Sequence, residues 1–382
     1  MATTCEFKLN RPRSTYFTGQ KVSGSIILTT TVDKNIRSIH IRFVGKAKVY
    51  WNDSRRYGKC ISKDVSENYA FRADELCVDR AVIARGGGIL QAGSHEFKFN
   101  FSIPKSCPSS HSGNYGEIRY ELQLIVDRQC HAKETFTKLL TILKKVNLNL
   151  FPRLKFPITA EETYAAGCWC WSYGIVTFKL TIPYGGFASN QILKYRLEIQ
   201  NQSMIELIGH KLELIQLTTY IAKIPYYKER KRRVVVTKQS YMDTCRRLSN
   251  REYHGTFIIP SLVPNSGNQG IIQLKYLLQI SIIAGAYYIN HSLALPIVIG
   301  NVPLVQSMRQ ESVDNDVETT TQLVLPETLA NSCTPTAPTY FNDESDVSDP
   351  PLYRDLSPPS FDEALILSST IQEDVEYDSS SD

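Results

Sequence analysis

The chain has 382 residues, of which 42% are hydrophobic and 10% aromatic, enough for two sizeable globular domains. Residues 305–382 contain 17 acidic and 2 basic residues, which leaves 41 basic and 21 acidic residues before them. A body this basic favours binding to anionic surfaces such as phosphoinositides or phosphorylated tails. No signature of a nucleic-acid-binding module is present, which argues against nucleic acid as the partner.

Alternation of apolar and polar residues with period two dominates the first three hundred residues. Helical periodicity is nearly absent, so the pattern predicts half-buried strands of β-sandwiches and an all-β fold. The apolar positions that share a strand face include Ile39, Ile41 and Phe43; Phe97, Phe99, Phe101 and Ile103; Ile118, Tyr120, Leu122, Leu124 and Val126; and Val176, Phe178, Leu180 and Ile182.

An internal repeat divides this body into two parts. The segment FSIPKSCP from Phe101 recurs as FIIPSLVP from Phe257, and each copy is followed by Gly-Asn-x-Gly, at 113–116 and 267–270. A repeat of about 155 residues predicts two sandwich domains of the same kind in tandem, which we place at 1–150 and 163–304. Two prolines interrupt the pattern between them.

The densest basic run, YYKERKRR, occupies positions 226–233. Its candidate contacts to acidic lipid headgroups or to a phosphorylated cargo are Lys228, Arg230, Lys231, Arg232 and Arg233. The alternative is a solvated hairpin loop, because three valines that favour a strand follow the run directly.

The last segment, 305–382, has the composition of a disordered acidic tail, rich in Ser, Thr, Asp, Glu and Pro. Its amphipathic stretch is FDEALIL at 361–367, for which we expect one or two helical turns on binding.

Two proline motifs lie in this tail, Pro335-Thr336-Ala337-Pro338 and Pro350-Pro351-Leu352-Tyr353. Proline-rich segments keep a polyproline II shape, so an aromatic-lined groove binds them at little ordering cost. Pro350 and Pro351 would lie across the aromatic ridges of a WW domain while Tyr353 fills the neighbouring pocket. The first motif resembles the ligand of the ubiquitin-variant domain in ESCRT-I, and chance occurrence is the alternative for both.

Candidate catalytic or metal-binding groups are lacking in the sequence. The seven histidines are dispersed, and the one-residue spacing of Cys168-Trp169-Cys170-Trp171 suits neither zinc nor a redox pair. We interpret that cluster as buried residues on one strand. Nine cysteines without a framework spacing and the absence of an apolar N-terminal region favour a cytosolic protein with reduced thiols, and we expect no enzyme activity and no cofactor.

Several stretches of the body are similar to the alpha-arrestins, the arrestin domain-containing proteins. They are YFTGQKVSG at 16–24, FVGKA at 43–47 with Trp51, YGEIRYEL at 115–122, and LPIVIG at 295–300 with Pro303 and Leu304. The resemblance implies two tandem immunoglobulin-like arrestin sandwiches, with a WW-binding tail like that of the family.

The resemblance also implies a function. An arrestin body would engage a receptor or transporter, and Pro350, Pro351 and Tyr353 would bring a WW-domain HECT ubiquitin ligase to it for ubiquitination, endocytosis and sorting. The implied location is cytoplasmic, peripheral at the plasma membrane and endosomes. The alternative is a ligase-independent scaffold that joins ESCRT-I to membranes through the motif at 335–338.

Two further expectations come from comparison with the family pattern. The usual second PPxY is replaced by Pro358-Pro359-Ser360-Phe361, a weaker ligand because the missing hydroxyl costs about 1 kcal/mol. One branch of the family binds thioredoxin through a cysteine in the second domain, and Cys245 lies in that region although its neighbours match poorly.

Overall fold

The computed structural model describes residues 3–11, 14–56, 66–168, 171–267, 269–284 and 291–305, and their regular structure is almost entirely β. Two short 3-10 helices, Leu148–Leu150 and Pro152–Lys155, lie between the two halves. The strands are β1 (Thr3–Leu9), β2 (Thr15–Phe17), β3 (Lys21–Thr30), β4 (Lys34–Arg56), β5 (Ser66–Arg85), β6 (Gly88–Leu90), β7 (Gly93–Ser102), β8 (His111–Gly113), β9 (Gly116–Arg128), β10 (Glu134–Leu143), β11 (Ile158–Cys168), β12 (Trp171–Ile182), β13 (Gly186–Ala188), β14 (Ile192–Ser203), β15 (Gly209–Ala222), β16 (Lys228–Tyr241), β17 (Ser249–Ile258), β18 (Ile272–Ile283) and β19 (His291–Gly300).

The first half is a sandwich of two sheets. One sheet has the order β1-β3-β7, and the other has the order β2-β10-β9-β4-β5, with β6 on β4 and β8 on β9. The predicted strand faces fill the space between them: Ile39, Ile41, Phe43 and Tyr120 are fully buried. Burial of each such side chain stabilises the fold by roughly 1.5–3 kcal/mol relative to exposure. Because one face of each strand must therefore be apolar, the alternation in the sequence predicted these strands.

A largely buried ion pair in the first sandwich joins β4 and β10, two strands of the same sheet. Lys34 Nζ lies 2.8 Å from Glu134 Oε2, and its side chain is only 5% exposed. Arg128 Nη1 lies 2.7 Å from Glu134 Oε1. Burial alone would raise the pKa of Glu134, but the hydrogen bonds from Lys34 and Arg128 outweigh it and lower that pKa below its ordinary value.

The second half repeats the architecture with the sheet orders β11-β12-β14-β17 and β13-β19-β18-β15-β16. β13 pairs with β19 in parallel, as β2 pairs with β10 in the first half. The repeat extends to single hydrogen bonds: Tyr120 Oη donates to the Pro108 carbonyl at 2.7 Å, and Tyr276 Oη donates to the Val263 carbonyl at 2.8 Å. The prediction of two tandem sandwiches is confirmed.

The cysteine–tryptophan cluster differs from the sequence interpretation. Cys168 ends β11 and pairs with Trp171 at the start of β12, so the cysteine–tryptophan cluster bridges a hairpin and does not lie on one strand as predicted. Residues 169 and 170, like the tail beyond Val305, lie outside the described residues. Within the described part of the chain, no helix is long and apolar enough to cross a membrane.

Candidate functional site

The proline motifs are not part of the described structure. Positions 335–338, 350–353 and 358–361 all lie beyond Val305, so the expectations attached to them stay predictions. The basic run at 228–233 is described in full, and the structure around it forms the candidate site.

Residues 228–233, which hold every cation of the basic run, belong to strand β16, and the hairpin-loop alternative is therefore wrong for them. Residues 223–227 alone connect β15 to β16, and from Lys228 onward the chain pairs with β15. Among the described strands, β16 is at the edge of its sheet. Because side chains alternate across a strand, the run divides into two faces that see different surroundings.

One face of the run turns toward the first sandwich. Lys228 forms an ion pair with Asp53, and its Nζ lies 4.9 Å from the centre of the Phe71 ring. Arg230 Cζ lies 4.1 Å from the centre of the Tyr115 ring. These partners belong to β4, β5 and the segment before β9, so the contacts join the two domains. Each cation–π contact contributes about 1–2 kcal/mol when partly desolvated.

The next cation on the same face, Arg232, lies beside a buried polar pair. His111 Nε2, on β8 of the first domain, is 3.2 Å from Tyr220 Oη on β15 of the second. Burial and the positive charge of Arg232 lower the pKa of His111 to about 4, and burial raises the pKa of Tyr220 to about 12. Both groups are therefore neutral at physiological pH, and the pair is a hydrogen-bonded contact between domains.

The other face of the run points to solvent. Lys231 Nζ lies 3.8 Å from Glu229 Oε2, with both side chains well exposed, and such a pair contributes little. Arg233 Nη2 donates to Gln279 Oε1 at 2.7 Å on the same exposed sheet face. Lys231 and Arg233 are therefore the members of the predicted anion-binding set that a surface could approach.

A second group of contacts joins the domains through the repeated Gly-Asn-x-Gly region. Glu75 Oε2 accepts a hydrogen bond from the Ile271 amide at 3.0 Å. Lys144 Nζ donates to the Ser266 carbonyl at 2.9 Å. A cavity of about 230 Å³ lies beside them, with all four of these residues in its wall. Glu75 and Lys144 use their polar groups for these interdomain hydrogen bonds, so the geometry is that of an interface.

The thiol considered for thioredoxin capture is not accessible. Cys245 is 1% exposed, and its Sγ lies 3.6 Å from Ser249 Oγ. Burial raises the pKa of this thiol, so the thiolate needed for disulfide exchange is disfavoured. The buried position of Cys245 therefore does not favour thioredoxin capture, which stays untested. Over the described residues, no group of three or more His, Cys, Asp or Glu side chains is placed to hold a metal ion.

Sequence reasoning missed the partners of the inner basic face. Asp53, Phe71 and Tyr115 lie more than a hundred residues from β16 along the chain, and their pairing with it depends on how two domains pack. The local signal for a strand was the run of valines at 234–236, because the cations of the run occupy both alternating sets of positions and do not mark one face.

Comparison with known proteins identifies related sequences for both halves. The family model for the arrestin (or S-antigen) N-terminal domain matches residues 5–149, and the model for the arrestin C-terminal domain matches residues 172–304. Arrestin domain-containing protein 17 of Caenorhabditis elegans is 26% identical over 79% of this chain and 71% of its own length. Arrestin domain-containing protein 4 of Mus musculus is 26% identical over 75% and 69%. Arrestin domain-containing protein 1 of Mus musculus is 24% identical over 79% and 65%.

Proposed function

The chain belongs to the alpha-arrestins, the arrestin domain-containing proteins, and from this premise we propose that it links a membrane cargo to a WW-domain HECT ubiquitin ligase. The observation that carries the proposal is Pro350-Pro351-Leu352-Tyr353 in an acidic tail that follows an arrestin body. The body engages a receptor or transporter, the tail holds the ligase, and ubiquitin on the cargo directs endocytosis and sorting.

The tail adds avidity to this recruitment. Pro358, Pro359 and Phe361 form a second, weaker ligand a few residues after Tyr353. Two sites on one segment raise the effective affinity for a ligase with several WW domains, because binding of the second site is intramolecular. In this proposal, residues 305–382 act as the recruiting segment and the sandwiches act as the cargo-binding body.

The body works at membranes from the cytoplasm in the proposed role, at the plasma membrane and endosomes. Lys231 and Arg233 support peripheral contact with acidic lipids, since they are the solvent-facing cations of the run at 228–233. Each cation near an anionic surface contributes about 1 kcal/mol, enough to bias orientation but not to anchor the protein.

The test is capture of a purified WW-domain HECT ligase by the full chain. Tyr353→Ala empties the pocket that the tyrosine ring fills, and we expect it to abolish capture. The matched control is Tyr340→Ala, a tail tyrosine outside both proline motifs, which should leave capture unchanged. Capture that survives Tyr353→Ala contradicts the proposal.

A second candidate function is a trafficking scaffold that works without a ligase. The motif Pro335-Thr336-Ala337-Pro338 favours it, since this is the ligand type of the ESCRT-I ubiquitin-variant domain. Pro335→Ala would then remove recruitment of ESCRT-I to membranes while Tyr353→Ala leaves it intact. The opposite pattern supports the ligase adaptor.

A further inference from the structure

The connector between the two sandwiches carries an exposed apolar surface. Leu150, Phe151 and Phe156 are 73%, 50% and 65% exposed, within seven consecutive residues. Val305, 54% exposed, lies beside them because its amide donates to Asn149 Oδ1 at 3.1 Å. We call these four residues the connector patch. Single exposed apolar residues are normal on a protein surface, but a cluster of this kind indicates a binding site.

The backbone beneath the patch is fixed. Leu148 is completely buried in the core of the second sandwich, and the Leu154 carbonyl accepts a hydrogen bond from the Gly185 amide at 2.9 Å. Asn149 Nδ2 donates to the Pro303 carbonyl at 2.8 Å, which ties the connector to the end of the second domain. The backbone of the patch is therefore held in one geometry, and binding of a ligand costs no conformational entropy to order it.

The charge around the patch selects an acidic ligand. Arg153 and Lys155 are exposed and lie between Phe151 and Phe156 along the chain. No acidic residue occurs in the sequence from Val146 to Ala160. A partner that combines apolar side chains with carboxylates matches both properties of this surface.

We infer that residues 361–367 of the same chain, with the sequence FDEALIL, dock on the connector patch. This segment lies outside the described residues, and its sequence combines apolar side chains with the carboxylates that are missing from the connector. Phe361, Ala364 and Leu365 share one face if the segment turns into a helix, and two adjacent carboxylates follow Phe361.

The path of the chain keeps this occupant close to the patch. The tail leaves the body at Val305, inside the patch, and 55 residues separate it from Phe361. Random-coil statistics for that number of residues give an end-to-end distance on the order of 40 Å. The effective concentration of the segment at the patch is about millimolar, so even a weak contact is substantially occupied.

Docking has a consequence for ligase recruitment, and only this consequence rests on the proposed function. Phe361 belongs both to the docking segment and to the weaker proline motif that starts at Pro358. A docked Phe361 cannot enter a WW domain, so the docked tail offers Tyr353 alone. Release of the segment would restore two-site binding.

The test is photo-crosslinking in the full chain, with Phe361 replaced by p-benzoylphenylalanine and the products mapped by mass spectrometry. We expect crosslinks to residues 150–156 within one monomer. Phe151→Ser together with Phe156→Ser should reduce them about ten-fold, since two apolar contacts are lost. Met242→Ser, at a site that is 71% exposed, is the matched control and should change nothing.

A charge exchange provides the second arm. Arg153→Glu with Lys155→Glu should reduce the same crosslinks, and Asp362→Lys with Glu363→Lys in that background should restore them. Crosslinks to other parts of the chain, or crosslinks unchanged in the serine variant, overturn the inference. Crosslinks found only between two copies of the chain also overturn it. So does protection of residues 150–156 that is seen only when phosphatidylserine vesicles are added. None of these readouts depends on a WW domain.

Discussion

Replacing Gly113 by alanine forces a methyl group into the contact between the two domains. A Cβ atom at this position would lie 2.1 Å from Tyr220 Oη and 2.8 Å from His111 Nε2, far inside van der Waals distance. Tyr220 is 1% exposed and its ring packs edge-on against Tyr115 at 5.6 Å, so it cannot move away freely. Overpacking of this kind costs about 1–3 kcal/mol.

The assay is thermal unfolding of the full chain followed by circular dichroism. A loss of 1 kcal/mol lowers the midpoint by roughly 2–4 °C for domains of this size. Gly86→Ala is the matched control, because no atom lies within 4 Å of its Cβ position. We expect that control to stay within about 0.5 kcal/mol of the parent, as surface substitutions usually do.

A double-mutant cycle identifies the clash as the cause. Tyr220→Phe removes the nearest atom and leaves Tyr220 Cζ, 3.3 Å from the alanine Cβ, as the next atom of that ring. In the phenylalanine background, Gly113→Ala should therefore cost at least about 1 kcal/mol less than in the parent. Equal costs in the two backgrounds, or a cost no larger than that of Gly86→Ala, would refute the close approach of the domains at this point.

Three further predictions address the ion pair, the basic strand and the thiols. Glu134→Gln should destabilise the fold by about 3 kcal/mol at neutral pH, because its lysine partner stays buried and charged. Because folding lowers the pKa of Glu134, the stability that its carboxylate contributes is complete above the ordinary pKa of 4.5 and is lost as the pH falls through the pKa of the folded state. Denaturation at a series of pH values will detect this loss. Arg230→Ala should cost about 1 kcal/mol or more in urea unfolding, whereas Lys231→Ala should cost less than half of that; equal effects would contradict the two-face description. A thiol reagent should label exposed Cys130 well before buried Cys245, and Cys245→Ser should leave thioredoxin capture unchanged.

The sandwiches could be predicted because their signals are local. Period-two alternation places Ile118, Tyr120 and Leu122 on one face whatever the rest of the chain does, and burial confirms each of them. The repeat of the Phe-x-Ile-Pro segment indicated the shared topology as well, since in each half a buried tyrosine donates to a carbonyl of the repeated segment.

The domain interface could not be predicted in the same way. The Gly-Asn-x-Gly repeat indicated a turn, but the need for glycine at Gly113 comes from Tyr220, more than a hundred residues later. The contact of Arg230 with Tyr115 likewise depends on the relative placement of two folded domains, which no local pattern encodes. The basic run was correctly singled out, yet three of its five cations face protein rather than solvent.

The central claim is that Tyr353 and the two prolines before it recruit a WW-domain ligase. Calorimetric titration of the full chain with a tandem WW fragment tests this claim most directly. We expect a dissociation constant in the micromolar range or tighter, and we expect Tyr353→Ala to abolish binding while the thermal midpoint of the body stays the same. No heat of binding with the parent chain, or the same affinity in the alanine variant, would contradict it.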